Sequence, residues 1–314
     1  MSDNKPNLVI FFEAGSLFSY PFNIKEYLES YLDFIKEAQS RFNIFVVRGR
    51  DKYLGQGRFK EGYSFKKGKF VSFAEPIKAE VIYDKGNLNI DGGKSWSVVN
   101  KAGLNEICND KFKTYQIFKK FHKFTCKFET KRQAKQCLKK MNEGKIVYKP
   151  RYGFEGRGII IDEKNKIIEK IKDFKAGLFQ DFIDTSQGVE KICHECHDLR
   201  VTVMNGEIIQ TYVRLPKKGS LISNVAQGGK LKEFTVGKLD SQLRKIVNEV
   251  DRYFKQFGAR IYAIDFGIEA GRPYIIEINN APGLPYKKWE IYYHFWHQKL
   301  LATLVAAFKN KNGK

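Results

Sequence analysis

The chain has 314 residues, 42% hydrophobic and 14% aromatic, and its 56 lysines and arginines against 35 aspartates and glutamates leave a net charge of +21. Twenty-six phenylalanines and sixteen tyrosines exclude a chain disordered over most of its length, because so much apolar surface can be buried. Five cysteines, odd in number and sparse for this length, argue against a disulfide scaffold and for a reducing compartment.

The opening apolar run, Leu8–Phe12, is shorter than a signal core, and no segment approaches the ~20 apolar residues of a membrane span. A cytoplasmic protein without a membrane is therefore expected. The run reads as a buried strand, followed by a helical pattern over 24–39, a strand at 43–47, a glycine- and charge-rich loop or hairpin over 49–68, and strands at 70–73 and 81–83. Strands interleaved with a helix predict a parallel α/β sheet. A second unit opens with a helix over 110–121, capped by Asn109 or Asp110, then a strand at 125–128, a helix over 130–141 and a strand at 145–149 that runs into a glycine-rich stretch, Gly153 to Gly158. A strand over 158–162 leaves that loop. A third unit has an apolar segment at 178–183, a hairpin turned by Asn205-Gly206, a helix over 241–257, a second hairpin of 261–269 and 273–279, and a final amphipathic helix over 289–308. The expected divisions are 1–105, 106–177 and 178–314, an α/β domain followed by two α+β lobes.

Four groups of residues carry chemistry. Asp265 lies on one arm of the last hairpin, and Glu277 and Asn279 lie two apart on the other, so that the latter share a strand face. Two carboxylates and an amide oxygen set in apolar runs (YAIDFGI, YIIEINN) are hard ligands suited to magnesium, which completes its shell with water and phosphate oxygens. Lys149 followed by Gly153, Gly156 and Gly158 is the second group. A lysine is a point charge for phosphate, and glycines let the backbone approach it closely, although a plain tight hairpin has the same glycines. The third group is Asp198 and Arg200, on one strand face, with Arg214 ending the next strand. Arginine suits bidentate contact with carboxylate or phosphoryl oxygens, and surface ion pairing is the alternative. The fourth is the polar loop 223–229, which contains Ser223 and Asn224.

In the order Lys111, Lys149-Pro150, glycine loop, Gln180-Asp181-Phe182-Ile183, Asp198-Leu-Arg200, Arg214, Ser223-Asn224, Asp265, Glu277-Ile-Asn279, Pro282-Gly283, these residues resemble the ATP-grasp superfamily, and most of all its ribosomal-protein glutamate ligase and glutathione synthetase branch, over about residues 105–285. The resemblance implies ATP clasped between two α+β lobes. It places Lys111, Lys149, Gln180, Asp181, Phe182, Ile183, Asp198, Ser223 and Asn224 in the nucleotide site and closes the glycine loop over the triphosphate. It makes Asp265, Glu277 and Asn279 the ligands of magnesium, or of manganese in its place, and sets Arg200 and Arg214 beside the reacting carboxylate and γ-phosphate. Most members carry Glu where this chain has Asp181, so a backbone contact to adenine is expected there rather than a side-chain one. The implied reaction is attack of a substrate carboxylate on the γ-phosphate, giving an acylphosphate that an amine converts to an amide, with no protein nucleophile.

Between Lys111 and Arg151 fourteen lysines and arginines face two glutamates, so more than half of the net charge falls on one lobe. A solvated lysine face is one reading, and a landing surface for an acidic acceptor is the other. No nucleic-acid module is recognisable. The stretch Cys193-His-Glu-Cys-His197 suggests zinc, but no second ligand pair stands at finger spacing. An ATP-grasp enzyme with a thiol or phosphoryl acceptor and a basic polyanion-binding protein on a degenerate fold remain the competing functions. The oligomeric state is open, a homo-oligomer included.

Overall fold

The computed structural model describes residues 5–153, 156–171, 174–217, 220–221 and 229–310. The first unit contains β1 (Asn7–Phe12), α1 (Lys25–Ala38), β2 (Asn43–Arg48), β3 (Tyr53–Gly55), β4 (Arg58–Phe59), β5 (Gly62–Lys66), β6 (Lys69–Phe73), β7 (Ile77–Lys78), β8 (Val81–Asp84) and β9 (Ser97–Val99). Its main sheet runs β6-β5-β2-β1-β8-β9. The unbroken apolar run of β1 is explained by burial on both sides. Leu8, Ile10 and Phe12 meet Tyr31 and Phe34 of α1, while Val9 and Phe11 meet Phe59 and Trp96. The sheet is mixed rather than parallel throughout. β5 and β6 form an antiparallel hairpin through Lys67 and Gly68, both at positive φ, a turn too short for the crossover that a parallel pair needs.

The second unit contains α2 (Ala102–Asn109), α3 (Lys111–Ile117), β10 (Thr125–Phe128), α4 (Lys131–Leu138), β11 (Lys145–Lys149), β12 (Ile160–Glu163), α5 (Ile167–Lys170) and β13 (Gly177–Asp181). The helix expected over 110–121 is α3, which starts behind an Asp110 cap and ends at Ile117, and α2 before it is an additional helix. Asp110 stops α2 and caps α3, accepting the N–H groups of Phe112 and Lys113. The antiparallel sheet runs β10-β13-β11-β12. Residues 178–181, expected in the large lobe, therefore form an inner strand of the small one, because Leu178 and Phe179 pair with β11 and Phe179 packs against Phe128 and Tyr148. The N-terminus of α4 is closed by a reciprocal pair of bonds between Thr130 and Gln133.

The third unit contains β14 (Asp198–Met204), β15 (Glu207–Leu215), β16 (Lys230–Glu233), α6 (Ser241–Phe254), β17 (Ile261–Glu269), β18 (Arg272–Asn279) and α7 (Tyr293–Asn310). The antiparallel sheet runs β16-β15-β14-β17-β18. Both hairpin turns, Asn205-Gly206 and Ala270-Gly271, have positive φ at both central residues, the geometry that matches strand twist. The helix α7 does not belong to this lobe alone. Trp296, Leu300 and Leu304 share a core with α1 and β1, and its His297 Nε2 lies 3.0 Å from Ser30 Oγ. Among the described residues no helix is long and apolar enough to cross a membrane.

Candidate active site

Strand alternation builds the site. Leu199, Val201 and Val203 of β14 and Tyr262, Ile264 and Phe266 of β17 are buried with Leu243, Val247 and Val250 of α6, so the residues between them face the other way. On that face Tyr212 lies opposite Arg200, Arg200 opposite Asp265, and Asp265 opposite Glu277. Directly opposed residues share a face, so these four form one row across β15, β14, β17 and β18. Asp198 and Arg214 pair on one side of the row, and Asn279 stands on the other.

Asp265 is the hub, only 3% exposed. Its carboxylate receives Nε and Nη2 of Arg200 at 2.6 Å each, Nη2 of Arg214 at 2.8 Å and Nδ2 of Asn279 at 3.0 Å. Burial alone would raise its pKa, but the Arg200 and Arg214 charges outweigh burial and hold it at about 2. Asp198 accepts from Arg214 Nη2 through one oxygen. Its other oxygen and Arg214 Nε are buried without a hydrogen bond among the described residues. Burial pushes Asp198 up to about 6, with Asp265 adding to the rise and Arg214 opposing it.

The small lobe brings two lysines to this row. Lys111 Nζ lies 3.0 Å from Glu277 Oε1 and also donates to the Gly153 carbonyl. Lys149 ends β11 fully inside the protein, with Nζ donating to Gln180 Oε1 at 2.7 Å and to the Ile276 carbonyl at 3.4 Å. Burial lowers its pKa to about 8, against the pull of the Glu277 carboxylate. Gly153, Gly156 and Gly158 all have positive φ, between 68° and 112°. A narrow cleft lined by Lys111, Tyr152, Gly153, Gly156, Arg157 and Glu277 joins their loop to the row.

A model of the RimK-like ATP-grasp domain matches residues 108–294. The chain belongs to the RimK-like ATP-grasp family. Among sequence relatives it is similar to a probable alpha-L-glutamate ligase of Shewanella halifaxensis, 28% identical over 144 residues, which are 44% of this chain and 28% of that protein. The chain thus matches less than a third of that relative's length. Among solved structures it resembles D-alanyl-alanine synthetase A from Vibrio cholerae, with a TM-score of 0.64, 14% identity and coverage of 98% of this chain and 99% of that one. It also resembles the ATP-grasp ligase PsnB complexed with a phosphomimetic precursor variant, Mg and ADP, with a TM-score of 0.61, 12% identity, and 97% and 100% covered. The two structural likenesses share the ATP-grasp fold.

Within this ATP-grasp fold the end of β13 divides its side chains between two directions. Gln180 turns inward to Lys149, whereas the Asp181 carboxylate turns away and accepts Asn142 N at 3.2 Å and Nδ2 at 2.7 Å. The Asp181 and Phe182 N–H groups go to the Phe124 and Lys145 carbonyls. No hydrogen bond among the described residues takes up the Ile183 N–H, so the backbone donor expected at Asp181 is engaged and the next unengaged one is at Ile183. Ser223 and Asn224 lie outside the described residues. In the cysteine–histidine stretch, His197 Nδ1 lies 3.3 Å from the Glu195 carbonyl and Nε2 accepts the Ile268 N–H at 3.2 Å, so both ring nitrogens serve the backbone rather than a zinc ion. Cys126 of β10 and Cys137 of α4 form a disulfide where the helix packs its buried face on that strand, while Cys108, Cys193 and Cys196 are free.

Sequence reasoning missed two parts of the site. Tyr212 stands two residues before Arg214 and so shares its face, a signal legible in TYVRL. The other part is a buried cluster of amides. Asn280 Nδ2 donates to Asn87 Oδ1 at 2.8 Å and Asn105 Oδ1 at 2.7 Å, and Asn100 Nδ2 donates to the Asn280 carbonyl at 2.7 Å. This cluster anchors the chain immediately after Asn279, and scattered asparagines give no pattern that would have revealed it.

Proposed function

We propose that the protein is an ATP- and magnesium-dependent ligase that joins a carboxylate to an amine. The observation that carries this reading is the row Tyr212–Arg200–Asp265–Glu277, with Lys111 and Lys149 delivered to it from the other lobe. Asp265, Glu277 and the Asn279 amide oxygen offer only hard oxygen donors, in keeping with magnesium, and each carboxylate is paired with a cationic side chain. Magnesium, when bound, supplies charge neutralisation for the phosphates.

In this reading the Ile183 N–H and Gln180 belong to the adenine side, Lys111, Lys149 and the glycine loop hold the phosphates, and Arg200 and Arg214 orient the carboxylate. The substrate carboxylate oxygen attacks the γ-phosphorus and the bond to ADP breaks. The amine then adds to the acyl carbon and phosphate leaves with its electron pair. Fixed positive charge and exclusion of water carry the rate. An amide-forming role agrees with the printed names of the relatives, glutamate ligases and ligases of alanine.

The test is incubation with Mg-ATP and pools of amino acids, peptides and acidic peptides, reading ADP release and product masses. Stimulated ADP release with a product lighter by one water than its two precursors is expected, and Asp265→Ala should reduce it by about a hundredfold or more. Thioester or phosphorylated products would favour a thiol or phosphoryl acceptor instead. Absence of ADP release from every pool, together with unaltered nucleotide binding in Asp265→Ala, would overturn the ligase reading.

A further inference from the structure

The disulfide of the small lobe lies where a staple adds little. Ala134, Cys137 and Met141 already share a core with Phe128, Ile146 and Tyr148, so packing holds α4 to the sheet, and the bond closes a separation of only 11 residues. Its surroundings are distinctive in two ways. β10 is an edge strand, paired with β13 alone, and Cys126 on it is partly exposed, whereas Cys137 is 3% exposed. The surface beside the bond is also strongly cationic. Lys131, Arg132 and Lys135 on α4, Lys139 at its C-cap and Lys140 just beyond are all exposed. Among the described residues none of the five makes an ion pair, although Lys127 and Lys164 of the same lobe do. Lysines four apart on a helix repel one another, and cations in a first turn oppose the helix dipole, so this face costs stability unless an anion visits it.

The other face of β10 meets the nucleotide side of the lobe. Cys126 turns to α4, so Thr125 before it turns the opposite way. Thr125 Oγ1 accepts Gln180 Nε2 at 3.1 Å, and Gln180 Oε1 accepts Lys149 Nζ at 2.7 Å. The Phe124 carbonyl accepts the Asp181 N–H at 3.0 Å. We infer that Cys126–Cys137 is a thiol-exchange site, opened by a thiol that carries carboxylates and is gathered by the α4 cations, and that its state sets how firmly β10 holds Gln180 and Lys149. A thiolate attacks the Cys126 sulfur, the more exposed of the two. The S–S bond breaks, and Cys137 leaves with the electron pair, takes a proton from water and donates it to the Lys127 carbonyl, 3.4 Å away. A second thiolate attacks the mixed disulfide, releases Cys126 and departs as the symmetrical disulfide, so two electrons enter the protein for two thiols oxidised. The symmetrical disulfide reverses the sequence. Nearby positive charge favours both the attacking anion and the leaving thiolate. The effect on nucleotide binding rests on the ligase reading, and the exchange itself does not.

The test follows opening of the bond in the native protein by mass spectrometry after alkylation, with glutathione and cysteamine as probes. Each rate is divided by that of the same thiol with an uncharged small disulfide, which removes differences in intrinsic reactivity. Glutathione is expected to gain about fivefold over cysteamine at low salt and to lose the gain at about 0.5 M salt, where charges are screened beyond ~4 Å. The double variant Lys135→Glu/Lys140→Glu, at two exposed positions, should reverse the order. Calorimetry with magnesium and a non-hydrolysable ATP analogue should show about fivefold weaker binding once the bond is open, restored by oxidised glutathione. Cys126→Ser/Cys137→Ser should bind like the opened form under either condition, and the wild-type comparison stands even if that variant folds poorly. Equal normalised rates for the two thiols, opening only in denaturant, or equal nucleotide affinity in both states would overturn the inference. If the analogue binds neither state, the ligase reading fails, and the exchange rates still decide the site.

Discussion

Lys149 shows how one residue ties burial to pH. In water its amine would titrate near 10.5, but inside the protein burial brings it to about 8, with Glu277 opposing and Lys111 adding to the fall. Between those values the unfolded chain holds more protons than the native one, so this lysine's contribution to stability rises as pH rises from about 8 to about 10.5. Binding runs the other way. An anionic ligand prefers the charged amine, so affinity for an ATP analogue should fall about tenfold from about pH 7 to about pH 9. Lys149→Met should bind more weakly and lose the slope. A flat wild-type profile would show that Lys149 does not meet the phosphates.

Among the elements, α3 is the one on which most depends, because its first residue is Lys111. Asp110 accepts the Phe112 and Lys113 N–H groups and also holds Arg151 through both carboxylate oxygens. Asp110→Ala should therefore cost about 1–2 kcal/mol of stability in urea unfolding and also weaken nucleotide binding, since Lys111 loses its fixed start. A loss of stability with unchanged nucleotide affinity would separate the cap from the site. The hairpin β17–β18 was legible from the sequence because alternation and a turn signal agree, and with it Asp265, Glu277 and Asn279. Helix α3 was legible with its Asp110 cap, but α2 was not, since it is short, carries Gly103 and has no capping side chain to announce its start. Nor was β16, whose Lys-Leu-Lys-Glu is an edge strand with little to bury. The placement of β13 was out of reach for another reason. A strand of five buried residues fits either sheet, and only pairing decides between them.

At the scale of the molecule, Asn100 stitches the first unit to the third. Its side chain donates to the Ile261 and Asn280 carbonyls at 2.6 and 2.7 Å and accepts the Ile261 N–H at 2.7 Å, all of it buried. Asn100→Leu would leave three backbone groups unpaired and should lower stability by about 3 kcal/mol or more, read as a shifted urea midpoint. If the midpoint stays in place, α7 and the Asn280 contacts suffice to hold the two units together. Fold class and chain order were readable at this scale, since strands and helices alternate and then pair up. The sharing of α7 between units was not, because an amphipathic helix does not say which neighbour it covers.

The arginine–aspartate contacts at the centre of the row have a consequence for how the pocket fills. Arg200 and Arg214 already neutralise Asp265, and Lys111 already neutralises Glu277. A bare cation arriving alone would strand two guanidinium groups, and a bare anion arriving alone would strand a carboxylate, each at the cost of a buried unpaired charge. A ligand that brings both signs together lets every internal pair exchange partners at once. Under the proposed function such a pocket would act as a coincidence detector, filled by the metal–nucleotide complex rather than by either half in turn.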